Sequence, residues 1–299
     1  MLDLACHAQA MHHSNLGRSR VVPVLALVLV AVGGAACSSE QPRLDTGLDY
    51  AALGDSFTAA PYLPSSSTDG CFRSDRNYPH LVADRLEDVE LVDVSCGGAT
   101  TEAVLQSQVQ DDGVAHLPQI EAVSADTDIV TVGLGVNDLK FSYKAAIECT
   151  LLAASEPRGE PCEEANGRKV PRILDRIHDR LAEVLDAIQS RAPNARILVV
   201  GYPRLFQGSR GCPQRFPLAA GDVDFVRDSY EQLSETAESA AAEAGVEYVD
   251  VAAASEGHDV CSEDPWINGD RKDRRTKAAP YHPMPAEQAA VAELVLDLL

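Results

Sequence analysis

The chain has 299 residues and a formal net charge of −21 at pH 7. Hydrophobic residues make up 45% of it and charged residues 24%, a globular composition that excludes a disordered or fibrous protein. The acidic balance argues against nucleic acid as a partner, because phosphate binding requires a basic surface. The length suits one large α/β domain or two small ones.

The first 36 residues have the pattern of an export signal. Arg18 and Arg20 precede an apolar run over residues 21–32, and small residues fill positions 33–36. The run holds roughly 12 residues, fewer than the ~20 that a helix needs to span a bilayer. We therefore predict a signal peptide over residues 1–36 and an exported protein, extracellular or in the cell envelope. A buried N-terminal helix is the alternative.

Cys37 directly follows the small residues. Its position resembles the site at which bacterial lipoproteins are cleaved and acylated on Cys, although Gly34 stands where that motif usually has Leu. We therefore expect acylation of Cys37, with residues 37–47 as a tether to the outer face of the membrane. Plain secretion and a retained signal anchor are the alternatives.

Six cysteines lie beyond this tether, and in an exported domain they predict three disulfides. Among the pairings that six cysteines allow, we choose the neighbours in sequence: Cys71–Cys96, Cys149–Cys162 and Cys212–Cys261. A zinc site is not indicated, because neither a CxxC pair nor an HExxH motif occurs.

Short runs rich in Val and Ile predict buried parallel strands. They cover residues 49–53, 91–94, 129–134, 197–200 and 246–251. Apolar periodicity predicts helices over residues 171–191, 222–244 and 285–299. This alternation predicts one domain over residues 48–299, a three-layer α/β/α sandwich with a mostly parallel five-stranded sheet. Residues 149–166 and 208–220 look like irregular loops.

Ser56 lies at the end of the first predicted strand, in Gly54-Asp55-Ser56-Phe57. Ligands bind at the carboxyl ends of strands in such sheets. A helix beginning there offers free backbone N–H groups and the positive end of its dipole, which would stabilise negative charge on a substrate oxygen. Taken alone, Asp-Ser before a helix is more often a cap than a nucleophile.

Two further segments follow predicted strands and offer hydrogen-bond donors. Residues 95–101 contain adjacent glycines, including Gly98, whose backbone can approach a ligand closely. Residues 133–138 contain Asn137, whose side-chain amide can donate to a developing oxyanion. The alternatives are a simple turn and a helix cap. A dinucleotide site is not indicated, because Asp138 replaces the last Gly of the GxGxxG fingerprint.

A base is needed to accept the proton of Ser56, and His282 is the candidate. It lies in Pro280-Tyr281-His282-Pro283, just before the last predicted helix, which can fix its position. A lone His between prolines is usually structural, so this assignment depends on the other three segments.

The four segments in this order resemble the GDSL family of hydrolases, and its SGNH branch in particular. That branch is named for one residue in each block, here Ser56, Gly98, Asn137 and His282. Residues 50–59, residues 215–218, Pro265-Trp266 and the six-cysteine plan look like those of actinobacterial secreted lipases and esterases in this family. The resemblance covers residues 48–299, and the GxSxG elbow of α/β-hydrolases is absent.

The resemblance implies an acyl-enzyme mechanism. Ser56 would attack an ester carbonyl while His282 accepts its proton. The oxyanion would accept hydrogen bonds from the backbone N–H groups of Ser56 and Gly98 and from the side chain of Asn137. Asp55 would fix the loop beneath the serine. No metal or cofactor is expected.

The chain departs from the family pattern in two places. Val136 replaces the second Gly of the third block, and Ala279 stands where many members carry an Asp that orients the histidine. We therefore expect a backbone carbonyl, from Pro280 or Ala279, to accept a hydrogen bond from Nδ1 of His282. The alternative is a more distant carboxylate, from Asp259, Asp264 or Asp270.

We expect a monomeric lipase or esterase that acts on small-molecule or lipid esters, phospholipids included. The alternatives are a carbohydrate O-acetyl esterase and a non-catalytic lipid- or glycan-binding envelope protein. A basic cluster over residues 271–277 either attracts anionic headgroups or is a solvated loop. An acyl groove or ordinary core packing would explain the apolar residues after the third strand, namely Leu134, Val136, Leu139, Phe141 and Tyr143.

Overall fold

The computed structural model describes residues 47–271 and 273–299. The expected signal peptide and Cys37 lie outside the described residues. The strands are β1 (Leu48–Gly54), β2 (Val89–Asp93), β3 (Gln108–Val109), β4 (Ala115–His116), β5 (Ile129–Gly133), β6 (Arg196–Val200) and β7 (Glu247–Val249). The α-helices are α1 (Ser56–Ala59), α2 (Tyr78–Ala83), α3 (Glu102–Leu105), α4 (Glu148–Ala153), α5 (Pro161–Asn166), α6 (Val170–Arg191), α7 (Asp222–Ala244), α8 (Val251–Ala254) and α9 (Pro285–Leu298).

A five-stranded sheet forms the centre of the domain, in the order β2-β1-β5-β6-β7. Every neighbouring pair in it is parallel. This confirms the predicted fold class. After β2 the chain crosses to the other side of β1 and adds β5 there, so the strand order reverses between β1 and β5. Ligands bind at such a reversal, at the carboxyl ends of the strands.

The two faces of the sheet carry separate hydrophobic clusters. Along β1, Ala51 and Leu53 belong to the cluster that contains α6 and α7. Tyr50 and Ala52 belong to the cluster that contains α2 and α9. Because successive side chains of a strand point to opposite faces, this alternation places helices on both sides of the sheet. The result is the three-layer sandwich expected from the sequence.

The buried face of α6 and the end of α7 follow from their sequences. Seven apolar residues on one face of α6 are buried, from Ile173 to Ile188, as their 3.6-residue spacing predicts. At the end of α7, Gly245 adopts φ +69° and its N–H donates to the carbonyls of Ala241 and Ala242. A left-handed residue at this position favours glycine, because other residues carry a Cβ that is strained there.

Two sequence expectations differ from the structure. The strand expected over residues 246–251 stops at Val249, because the side chain of Asp250 accepts the N–H of Ala253 and caps α8. Residues 149–166, expected to be irregular, contain α4 and α5. The cap of α5 comes from far along the chain, since the carboxylate of Asp222 accepts the N–H groups of Cys162 and Glu163.

Three disulfides pin these elements, and each joins neighbours in sequence: Cys71–Cys96, Cys149–Cys162 and Cys212–Cys261. The first ties the segment after α1 to the segment after β2. The second ties α4 to α5. Over the stretches that can be described, no helix is both long and apolar enough to cross a membrane.

Candidate active site

Ser56 is the first residue of α1 and lies at the carboxyl end of β1. Asp55 caps this short helix, because its Oδ1 accepts the N–H of Phe57 at 2.8 Å. Gly54 permits the tight turn, since a Cβ at that position would collide with the side chain of Thr58. The side chain of Ser56 is therefore held at the sheet edge predicted from the sequence.

His282 lies beside Ser56, although 226 residues separate the two in sequence. Its Nε2 lies 2.9 Å from Oγ of Ser56, and its Nδ1 lies 2.7 Å from the carbonyl oxygen of Pro280. Because a carbonyl only accepts, Nδ1 carries the proton and donates to Pro280. Nε2 is then free to accept the hydroxyl hydrogen of Ser56. Burial lowers the pKa of His282 despite this hydrogen bond, which alone would raise it.

Asn268 fixes the loop that carries His282. Its backbone N–H donates to the carbonyl of His282 at 2.9 Å, and its side-chain amide donates to the carbonyls of Ala278 and Ala279 at 3.0 and 2.9 Å. The carbonyl of Ala279 is thus engaged by Asn268, and of the two carbonyls considered it is Pro280 that accepts from the imidazole. No sequence signal singled out Asn268, because these three partners in the His282 loop lie ten or more residues away.

The distant carboxylates considered as alternatives make other contacts. Asp259 accepts the backbone N–H groups of Gln207 and Cys261. Asp264 is largely exposed, and its carboxylate faces His258 at 3.8 Å. Asp270 faces Arg271 at 3.8 Å. Of the groups considered, the one that Nδ1 of His282 contacts is therefore a peptide carbonyl, that of Pro280.

The second and third predicted segments meet next to Ser56. Gly98 adopts φ +73°, a conformation that favours glycine. Its loop is joined to the first segment, because the N–H of Cys96 donates to the carbonyl of Gly54 at 3.0 Å. It is joined to the third, because the side-chain amide of Asn137 donates to the carbonyl of Ala99 at 3.0 Å. The loops after β1, β2 and β5 thus form one hydrogen-bonded group.

Asp138 strengthens the connection between the second and third loops. Its fully buried carboxylate accepts the backbone N–H of Thr101 at 2.9 Å and Nη1 of Arg180 at 3.0 Å, and also binds the hydroxyl of Thr101. Such partners offset the cost of removing a carboxylate from water. The sequence placed Asp138 in the third segment but gave no sign of these partners.

A second buried carboxylate, that of Asp55, belongs to the residue directly before Ser56. Burial raises its pKa to about 7, although hydrogen bonds from Tyr202 and Phe57 act in the opposite direction. Tyr202 donates its hydroxyl hydrogen to Oδ2 of Asp55 at 2.7 Å. Tyr202 follows β6, so it lies at the same carboxyl end of the sheet as the other loops. That position is the sequence feature that could have indicated it.

The residues considered for an acyl groove are mostly core. Leu134, Val136 and Phe141 are at most 2% exposed and pack in the cluster under α6 and α7. Leu139 packs against that cluster, whereas Tyr143 is 41% exposed. Core packing therefore explains most of this apolar segment.

Acidic side chains lie among the basic side chains of residues 271 and 273–277. Arg271 and Arg275 line a cleft of about 560 Å³ together with several carboxylates, Glu263, Asp264, Asp270 and Asp273 among them. Asp273 accepts the backbone N–H groups of Arg275 and Thr276, and these hydrogen bonds lower its pKa. This arrangement favours the solvated-loop interpretation over a headgroup site.

Cys71, Cys96 and His116 are the one group of potential metal ligands in the parts of the chain that are described. The two sulfur atoms are bonded to each other. They therefore do not offer the thiolates that a zinc site of this kind requires.

Comparison with known proteins bears on this geometry. The sequence profile of the GDSL-like lipase/acylhydrolase family matches residues 52–290. Lipase 2 of Streptomyces coelicolor is 33% identical over 95% of this chain and 97% of its own length. The crystal structure of an extracellular lipase from Streptomyces rimosus is 25% identical, with a TM-score of 0.68 over 85% of this chain and 100% of that one. A phospholipase A1 from Streptomyces albidoflavus has the same fold, with 24% identity, a TM-score of 0.65 and coverage of 84% and 99%.

Proposed function

The chain belongs to the GDSL-like lipase/acylhydrolase family and is a carboxylic ester hydrolase, and we propose that Ser56 and His282 are its catalytic residues. One observation carries the proposal. Oγ of Ser56 and Nε2 of His282 lie 2.9 Å apart, with Nδ1 of the same imidazole bound to a carbonyl. That arrangement supports proton transfer from the hydroxyl to the imidazole.

The reaction proceeds through an acyl-enzyme. As Oγ of Ser56 attacks the ester carbonyl carbon, Nε2 of His282 takes the hydroxyl proton, and the carbonyl oxygen becomes an oxyanion. When the intermediate collapses, the bond to the alcohol breaks and His282 gives that alcohol its proton. Water then attacks the acyl group in the same way, and the acid and free Ser56 are released.

We assign the oxyanion's hydrogen bonds to the backbone N–H groups of Ser56 and Gly98 and to the side-chain amide of Asn137. The left-handed conformation at Gly98 and the hydrogen bond from Asn137 to Ala99 support this assignment. An amide nitrogen carries two hydrogens, so one can hold the loop while the other faces the substrate. Removing one such donor costs about 2.7–4 kcal/mol of transition-state stabilisation in a well-studied protease.

We propose acyl esters of lipids as the substrate class, phospholipids included. The support is the resemblance to lipases, Lipase 2 of Streptomyces coelicolor among them. A series of nitrophenyl esters from acetate to long acyl chains tests this. Preference for longer chains is expected, whereas activity confined to acetate would favour a carbohydrate O-acetyl esterase.

The three disulfides indicate an exported protein, because such bonds persist in oxidising compartments. We propose further that Cys37 is acylated, that residues 37–47 tether the domain to the membrane, and that the enzyme is a monomer. The support for the anchor is the signal-like sequence before Cys37. Release of a Cys37→Ser variant into the medium, with wild type retained on cells, is the expected result.

A fluorophosphonate probe tests the nucleophile directly, because it reacts with an activated serine. We expect labelling of the wild type and none of Ser56→Ala. Ser107→Ala is the matched control, since Ser107 is an exposed serine that lines a shallow hollow together with Gly98. Labelling that persists in Ser56→Ala, or disappears in Ser107→Ala, would contradict the assignment.

A further inference from the structure

Tyr202 lies at the carboxyl end of β6, outside the four segments that carry the proposed chemistry. Its side chain is 1% exposed. A buried phenol needs a hydrogen-bond partner for its O–H group, so its contacts are fixed rather than shared with water. The role of Tyr202 therefore depends on the groups that its hydroxyl contacts.

The phenol oxygen joins two loops of the site. The backbone N–H of Val136 donates to it at 3.1 Å, and the phenol hydrogen is donated to Oδ2 of Asp55 at 2.7 Å. An N–H group can only donate, so the phenol oxygen accepts from Val136 and keeps its own hydrogen for Asp55. One oxygen atom therefore bridges the loop after β1 and the loop after β5.

Each anchor point is the immediate neighbour of a proposed functional residue. Asp55 precedes Ser56, and Val136 precedes Asn137. Asp55 also accepts the N–H of Phe57, so its carboxylate is held at both oxygen atoms. The bridge consequently fixes the distance between the nucleophile and the side chain that we assign to the oxyanion.

The ring of Tyr202 makes a further contact that does not involve the hydroxyl. Its edge meets the ring of Phe57 with centroids 5.1 Å apart, and Phe57 in turn lies 6.0 Å from the imidazole of His282. A Tyr202→Phe substitution keeps this ring contact and removes the oxygen bridge alone. The two contributions can therefore be separated by experiment.

We infer that Tyr202 is a positioning residue for ester hydrolysis, which holds the Asn137 donor at its working distance from Ser56 through the bridge from Val136 to Asp55. The inference rests on the proposed function. Tyr202 touches no reacting atom, but it sets the geometry in which the transition state is stabilised. Small errors in such geometry are costly to the chemical step and have little effect on substrate binding.

The experiment compares the steady-state kinetics of Tyr202→Phe with those of the wild type on one nitrophenyl ester. We expect kcat to fall by about tenfold or more while KM changes little. Tyr248→Phe is the control. Tyr248 is also a largely buried tyrosine, but it donates its hydroxyl hydrogen to the carbonyl of Ser234 at 3.2 Å rather than to either loop of the bridge. We expect its kcat to be unchanged.

Asp55→Asn is the second variant, in case Tyr202→Phe folds poorly. The amide oxygen can still accept the N–H of Phe57, whereas the amide nitrogen cannot accept the phenol hydrogen. The same fall in kcat without a rise in KM is expected. Near-UV circular dichroism and thermal unfolding give the folded fraction, to which each kcat is normalised.

Two results would overturn the inference. One is a normalised kcat for Tyr202→Phe equal to that of the wild type. The other is a kcat that falls together with a large rise in KM, since that would assign Tyr202 a general structural role. Ser56→Ala separates this inference from the proposed function. If Ser56→Ala is inactive and Tyr202→Phe is fully active, the inference alone fails, whereas an active Ser56→Ala would remove the proposed function as well.

Discussion

Nδ1 of His282 lies 2.7 Å from the carbonyl oxygen of Pro280, two residues earlier in the chain. Many hydrolases that use a serine and a histidine orient the imidazole with a carboxylate. Here Nδ1 contacts a peptide carbonyl instead, and Nε2 faces Ser56. The predictions below follow from this arrangement and from the buried carboxylates around it.

Introducing a carboxylate near the imidazole of His282 should not raise kcat by as much as tenfold. Ala279 is 6% exposed, and its carbonyl is engaged by Asn268. We expect Ala279→Asp to change kcat by less than tenfold, which corresponds to about 1.4 kcal/mol, and to lower the melting temperature because a charge would be buried. The measurement is kcat per active site, counted with a fluorophosphonate. Ala279→Asn is the uncharged control, and a gain of tenfold in the Asp variant alone would show that the carbonyl holds the imidazole poorly.

Activity should persist into mildly acidic solution. The proposed base, His282, can accept a proton only when it is neutral, and burial lowers its pKa from the ordinary 6.5. We therefore expect the acid limb of the kcat/KM profile to have its midpoint below pH 6.5. The profile is measured with a soluble ester over the range in which the protein stays folded.

Asp55 is a neighbouring group with a pKa of about 7, so it would titrate in the same pH range as the acid limb. Asp55→Asn removes that titration, so its profile serves as the control. The midpoint should stay below pH 6.5 in this variant, even though kcat falls. A wild-type midpoint near pH 7 that moves downward in Asp55→Asn would assign the limb to Asp55 instead.

The buried ion pair between Asp138 and Arg180 should matter far more to stability than an exposed one. Asp138→Ala leaves the donors of Thr101 and Arg180 without their acceptor. Arg180 is 29% exposed, so we expect the free energy of unfolding to fall by about 3 kcal/mol, the lower end for broken buried pairs. Urea denaturation gives this quantity.

The surface pair of Arg85 and Glu293 is the control, with side chains 60% and 58% exposed and a separation of 2.6 Å. Arg85→Ala should lower the free energy of unfolding by less than about 1 kcal/mol. Equal effects of the two substitutions would mean that the contacts of Asp138 contribute no more to stability than an exposed ion pair does.

Glu287 should make the protein less stable as the pH rises. It is 3% exposed on α9, and burial raises its pKa from 4.5 to about 8 despite the hydrogen bond from Gln288. The folded state therefore holds a proton that the unfolded state releases above pH 4.5. The stability from this proton is complete below pH 4.5 and is lost as the pH rises to about 8.

Glu287→Gln carries no titrating proton, so it should flatten the dependence of stability on pH in that range. Asp55 contributes in the same direction between its ordinary 3.8 and about 7, so part of the slope remains. Urea midpoints at several pH values measure the effect. An unchanged slope in the variant would show that Glu287 is ionised in the folded protein.

The sheet and the long helices were predictable because local patterns specify them. The face of α6 with Ile177 and Leu181 buried follows from 3.6-residue spacing, and the strands follow from short runs of Val and Ile. Helix α5 was missed, because the carboxylate at its start belongs to Asp222, 60 residues after Cys162 in the chain. Local sequence does not show such a contact.

The candidate site was predictable where residues lie in motifs at strand ends. Ser56, Gly98 and Asn137 fall in such segments, and His282 lies in a short motif just before the last helix. The residues that hold them, Tyr202 and Asn268, act through contacts across the fold and carry no motif of their own. Leu134 was ambiguous for a different reason: an apolar residue after a buried strand suits a groove and a core equally well.

The bridge between Cys71 and Cys96 has a practical consequence for producing the enzyme. Cys96 lies two residues before Gly98, and the N–H of Gly97 donates to the carbonyl of Cys71. Material made in a reducing host cytoplasm would lack this covalent bond at the loop next to Ser56, while the five-stranded sheet itself contains no cysteine. Specific activity per milligram, rather than yield of soluble protein, is thus the appropriate assay of correct oxidation.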